Sequence, residues 1–187
     1  MKIVRLVIFT LVLVALATTC KYFFSPILGL GGFSPIIAIA LFSGLVIRER
    51  NLTFMLPLVA LLASDLIIQL LYEQGRFPYE GIYDGQWKNY LIILSATVIG
   101  WLIKGRSKAS LLVGAIAAPT VFFLLSNLNV WLSQEVGYSK DFSGLMNCYA
   151  AGLPFYRNAL IATLVFFPSI LLLYNYITRH RAVLTIA

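Results

Sequence analysis

Histidine occurs once, cysteine twice, and aspartate and glutamate together only seven times in this chain of 187 residues. Two cysteines, Cys20 and Cys148, make neither a disulfide framework nor a zinc-ligand spacing. The chain offers no grouping of nucleophile, base and orienting residue, no carboxylate pair beside a histidine, and no zinc-protease motif. Gly29-Leu30-Gly31-Gly32 follows no strand, so it reads as a flexible turn and not as a phosphate cradle. The expectation is a protein that is not an enzyme and carries no cofactor or metal.

Charge is scarce too. Only 11% of residues are charged and 60% are hydrophobic, against about 25% charged in an average soluble domain. This balance excludes a soluble domain and predicts an all-α integral membrane protein, one domain over residues 1–187. Windows of about 20 residues set against a hydrocarbon core of about 30 Å give six candidate spans. They are Ile3–Phe24, Ser34–Ile47, Leu52–Tyr72, Asn89–Ile103, Ser110–Leu132 and Tyr156–Thr178. The second and fourth are short. Pro35 suits a helix start, whereas Pro119 predicts a kink inside the fifth span.

The net charge of +7 is unevenly spread between the connections. One side holds Lys2, Arg5, Arg48, Arg50, Lys104, Arg106, Lys108, Arg179 and Arg181 against the single acid Glu49. The other holds Lys21, Arg76, Lys88, Lys140 and Arg157 against Glu73, Glu80, Asp84, Glu135 and Asp141. The positive-inside rule then puts both termini in the cytoplasm. The excess basicity reads as a topology signal and a contact with anionic lipid, which argues against nucleic acid. His180 falls in the basic tail and reads as solvated. Leu16-Ala17-Thr18-Thr19-Cys20 superficially resembles a secretory cleavage site, but threonine is a poor residue before such a cysteine, so the first span is expected to remain.

Function is expected on the outward side, where the connections 73–88 and 133–155 are long and aromatic. Phe77, Tyr79, Tyr83, Trp87, Tyr138, Phe142, Tyr149 and Phe155 lie there, with Tyr72, Tyr90, Trp131 and Tyr156 at adjoining helix ends. An interfacial aromatic belt accounts for such rings; so does a cavity for a planar or amphipathic ligand.

Asp65 stands alone as a carboxylate in the third span, with Gln69 and Glu73 following at four-residue spacing on one helix face. A carboxylate at a helix centre costs about 2.5–3.5 kcal/mol on insertion scales, so it is expected to face protein or a wet cavity. It reads either as the floor of an outward pocket or as a pin to a neighbouring span. Ser126, Asn127, Asn129 and Trp131 form a second polar cluster, where the chain is expected to unwind. The stretch 147–158 reads as re-entrant or interfacial. Arg157 is a candidate partner for Asp65, Glu73 or an anionic ligand group, or a snorkelling anchor. Cys148 reads as a small filler more readily than as a metal ligand.

Phe33-Ser34-Pro35 through Ser43-Gly44, Leu62-Ala63-Ser64-Asp65, Ser126-Asn127 with Trp131, and Gly144-Leu145 through Cys148-Tyr149-Ala150-Ala151-Gly152-Leu153-Pro154-Phe155 carry a resemblance over most of the chain. The chain resembles an uncharacterised family of small six-span bacterial inner-membrane proteins, related to the substrate-binding (S) subunits of energy-coupling-factor vitamin transporters. BtuM-like cobalamin transporters are the nearest suggestion. The resemblance implies an S-component-like bundle with an outward pocket for a vitamin-like micronutrient, cobalamin or a related compound among them. It also implies an energising membrane partner docked on small residues of the first span, where Ala15 and Thr19 have the small-xxx-small spacing. The BtuM-like cobalt-ligating cysteine has no counterpart in 73–88, and Cys148, in another loop, does not inherit that role.

The expected substrate site is Asp65, Gln69, Asn127, Asn129, Trp131, Tyr149 and Arg157, with the loop aromatics. The alternative is a non-catalytic scaffold or assembly subunit of a larger inner-membrane complex. A proton or ion route through Asp65 fits less well, because the inner halves of the spans are too apolar.

Overall fold

A computed structural model describes residues 2–24, 28–47, 49–103, 107–133 and 136–178. Arg48, Lys104, Arg106, Glu135, Arg179, His180 and Arg181, all used above, lie outside the described residues. Six helices follow one another: α1 (Lys2–Phe24), α2 (Ile36–Val46), α3 (Arg50–Glu73), α4 (Gln86–Leu102), α5 (Lys108–Ser133) and α6 (Phe142–Thr178). No strand occurs among the described residues. By length and composition α1, α3, α5 and α6 can cross a membrane, which suggests a membrane protein.

The short helix α2 is the core of the bundle. From Ile36 to Leu45 every residue is buried, because the helix is apolar on all sides and packs against α3, α4, α5 and α6. Its closest partner is α4. A Cβ on Gly44 would overlap the Thr97 carbonyl oxygen, and one on Gly100 would overlap that of Leu41. Gly44 on α2 thus lies against the Thr97–Trp101 backbone of α4, and Gly100 on α4 against the Leu41–Leu45 backbone of α2, the small-residue crossing by which apolar helices gain dispersion contact without a hydrophobic driving force. Beside this crossing, the rings of Phe9, Phe42 and Tyr174 meet at centroid distances of 5.2–5.5 Å, fastening α1, α2 and α6 together.

The turn from α2 to α3 is closed by side chains. Ser43 Oγ donates to the Thr53 carbonyl at 2.5 Å, and Thr53 Oγ1 donates to the carbonyls of Ile47 and Glu49. With 11 residues and a rise of 1.5 Å each, α2 is about 16 Å long, roughly half a hydrocarbon thickness. Space is left beyond its first turn, and a cavity lies there.

Two local expectations are corrected. The chain does not unwind near Asn127, because α5 runs unbroken to Ser133. Its Asn127 Nδ2 donates to the Phe123 carbonyl one turn back, so the side-chain amide is bonded within a continuous helix. Nor is 147–158 a re-entrant stretch, since α6 begins at Phe142 and runs through it. Asp141 starts it by accepting the Gly144 amide at 2.7 Å and the Ser139 hydroxyl at 2.8 Å, the geometry of an N-cap. Pro154 is carried inside α6.

Candidate functional site

Lys21 in the last turn of α1 forms an ion pair with Asp65 Oδ1 on α3. The ammonium also donates to Ser64 Oγ at 2.8 Å, and that hydroxyl in turn donates to the Leu61 carbonyl. From α4, Gln86 Nε2 and the Tyr90 hydroxyl donate to Asp65 Oδ2 at 2.8 and 2.6 Å. One carboxylate therefore joins three helices. Asp65 is only 5% exposed, and a charge so buried is tolerable because every donor around it is aimed at it.

The α3–α4 loop is moulded onto this cluster. Gln69 Oε1 accepts the amides of Gly81 and Ile82, both at 3.0 Å, and Gln86 Nε2 also donates to the Gly81 carbonyl. A Cβ at Gly81 would overlap the Asp65 carbonyl oxygen and the Gln69 amide nitrogen. Only a residue without a side chain lets the loop approach α3 so closely. Phe77 anchors the loop further out, its ring stacked on Tyr22 of α1 at 5.8 Å.

Beyond this cluster, above the first turn of α2, lies a cavity of about 590 Å³. Lys21, Asp65, Gln86 and Tyr90 form its polar corner. Ile36, Ile37 and Ile93 belong to its apolar wall, and Phe33, Phe122, Phe123, Phe155 and Tyr156 supply rings. Ser126 and Asn127 add polar groups from α5. The connection preceding α2 is seated on α6: Asn158 Nδ2 donates to the Gly31 carbonyl at 2.9 Å, and Phe155 fills the space a Cβ on Gly31 or Gly32 would need.

Of the residues expected to form the site, Asp65 and Asn127 line this cavity; the others do not. Gln69 is occupied with the loop and with Glu73, which accepts from its Nε2 at 3.0 Å. Trp131 Nε1 donates to the Ser139 carbonyl, and the Tyr149 hydroxyl to the Leu124 carbonyl, so both hold α5 to the start of α6. Asn129 is half-buried outside the lining. Arg157 is exposed and donates to Asn158 Oδ1 at 3.5 Å, leaving Asp65 to Lys21. The reason is helical rotation: residues near one another along α5 or α6 project to different faces, and only one face of each reaches the cavity.

Lys21, Gln86 and Tyr90 line the cavity too, and spacing along one helix did not disclose them. A signal was present for Lys21, a lone cation ending the first apolar run as Asp65 is the lone acid of the third. The aromatic set divides: Phe77, Tyr79, Tyr83, Tyr90, Phe155 and Tyr156 line the cavity, whereas Tyr72, Trp87, Tyr138 and Phe142 do not. Among the described residues no group of three or more His, Cys, Asp or Glu side chains is placed to hold a metal ion. Cys148 is buried, and its thiol donates to the Asn127 carbonyl.

The class these features define is a helical bundle with long apolar helices and a polar-cornered open cavity. The chain belongs to a family of unknown function, DUF6580, whose model matches residues 1–184. No curated protein and no solved structure matches it.

Proposed function

We propose that the protein is a membrane-embedded binding subunit that takes a vitamin-like micronutrient from the outward side. The observation that carries this reading is the cavity of about 590 Å³, a hydrogen-bonded polar corner facing a wall of aromatic rings. Its volume falls within the range of about 300–1,000 Å³ that encloses a drug-sized ligand. That size favours a compact molecule over a whole corrinoid.

In this reading all six helices lie in a bacterial inner membrane, with both termini cytoplasmic and the cavity open to the periplasmic side. The shortness of α2 is compensated by the connection before it, and the bundle is S-component-like. Ala15 and Thr19 lie on the exposed face of α1, where an energising membrane partner would dock. The test is native mass spectrometry of protein extracted from its own host membranes, followed by binding of any released small molecule to the ligand-free protein. A bound molecule lost in Tyr90→Phe and retained in Arg157→Gln supports the proposal. A stoichiometric partner chain with an empty cavity supports the scaffold reading instead, which is favoured by Asp65 having both oxygens engaged by protein donors.

A further inference from the structure

The charge accounting of the cavity restricts what it accepts. Three charged side chains border it: Lys21, Asp65 and Glu80. Glu80 is exposed on the α3–α4 loop. Lys21 and Asp65 neutralise one another, and their bonding leaves little for a charged guest. Asp65 Oδ1 is taken by Lys21, and Oδ2 by Gln86 and Tyr90. Lys21 is further tied to Ser64. Arg157, the other cation near this end of α6, is outside the lining.

An anionic ligand would therefore give up its hydration without meeting a free cation. A cationic one would find Asp65 already taken by Lys21, and the other carboxylate at the cavity, Glu80, is exposed on the loop, where water screens it. Both are unfavourable at the buried Lys21–Asp65 corner. Neutral hydrogen-bonding groups, by contrast, find partners. The Tyr90 hydroxyl, having donated its proton, still accepts, and so does the Ser126 hydroxyl; the amide of Asn89 donates to the Tyr83 hydroxyl at 2.7 Å through one N–H and keeps a second.

We infer that the cavity selects an uncharged, planar, amide- or carbonyl-bearing ligand, and that the Lys21–Asp65 pair is the selectivity device, excluding charged analogues by its own neutrality. This deepens the proposed uptake role and rests on the cavity being a ligand site.

The test uses the full chain in nanodiscs with three matched probes, 2-naphthamide, 2-naphthoate and 2-naphthylmethylammonium, read by probe fluorescence against empty nanodiscs. Wild type is expected to bind the amide at least about tenfold more tightly than either ion, a difference of about 1.4 kcal/mol. In Asp65→Asn the bare Lys21 should invert the order in favour of the naphthoate, and in Lys21→Met the bare Asp65 should invert it in favour of the ammonium. The two opposite inversions keep the outcome readable if one variant folds poorly. Wild type binding an ion as tightly as the amide, or inversions that fail in folded variants, overturns the neutral-ligand inference and leaves the cavity as a binding site. Binding of none of the probes above the empty-nanodisc level, together with no small molecule carried from the host membrane, overturns the ligand-site reading itself.

Discussion

Lys21 and Asp65 are 44 positions apart in sequence and meet as an ion pair between the last turn of α1 and the interior of α3. The pair is asymmetric in burial, the lysine side chain 22% exposed and the aspartate 7%. The lysine keeps contact with the polar side while the carboxylate is enclosed, so the bond fixes the depth of α1 against α3.

Removing one member strands the other. Lys21→Met is expected to destabilise the fold by about 3 kcal/mol, at the low end of the cost of breaking a buried pair because the lysine is partly exposed. Lys21→Met combined with Asp65→Asn should recover at least half of that. Reversible unfolding in mixed micelles measures the cycle; additive single and double costs would show that the two residues are not energetically coupled.

The α2–α4 crossing tolerates no side chain. Gly44→Ala and Gly100→Ala should each cost about 2 kcal/mol, typical of overpacking where only backbone is available to give way, since the obstructing atoms are the Thr97 and Leu41 carbonyl oxygens. Thermal unfolding in detergent checks this, and an unchanged midpoint for either variant contradicts the crossing.

Gly81→Ala should lift the α3–α4 loop from α3, because the added Cβ meets backbone atoms of Asp65 and Gln69. Gln86 then loses the Gly81 carbonyl that orients its amide. Helix content by circular dichroism should be unchanged while, under the proposed uptake role, affinity for a ligand carried from the host membrane falls about tenfold, the equivalent of about one hydrogen bond.

Asn158→Leu should free the connection before α2 by deleting the bond to the Gly31 carbonyl. Hydrogen exchange at the Phe33 amide, which is bonded to the Leu30 carbonyl at 3.0 Å, is expected to accelerate about tenfold, matching a loss of about 1.4 kcal/mol. Exchange as slow as in wild type would mean that Asn158 does not hold the connection.

Asp141 gives a pH signature at the start of α6. The Gly144 amide, then the Ser139 hydroxyl, hold its carboxyl below the ordinary carboxylate range. A depressed folded-state pKa means that the cap's contribution is complete above the unfolded-state value and disappears as pH falls through the folded-state value. Protection of the Gly144 amide should fall with acidification in wild type, and Asp141→Ala should show low protection with no such dependence. Equal pH profiles in the two proteins would exclude the cap.

Helices were the legible part of this fold. Long apolar runs between sparse charges marked α1, α3 and α5 within a few residues, and the apolar run at Ser34–Ile47 contains α2. The start of α6 was missed because Gly144, Gly152 and Pro154 punctuate it like a loop, whereas its Asp141 cap and its packing against α5 keep it helical. At the site, Asp65 stood out because a lone carboxylate in an apolar run needs shelter. Gln69, Trp131 and Tyr149 share its neighbourhood in sequence or composition, yet their bonds go to backbone elsewhere.

Sequence alone thus determined that this chain is helical and apolar, and that Asp65 must be sheltered, since hydropathy and the cost of an unpaired charge act residue by residue. Tertiary structure decided that Lys21 rather than Arg157 is its partner, that Gln86 and Tyr90 complete its shell, and that α2 stops short enough to leave a cavity. Those outcomes depend on how helices from distant parts of the chain are rotated and set in depth against one another, which local periodicity does not encode.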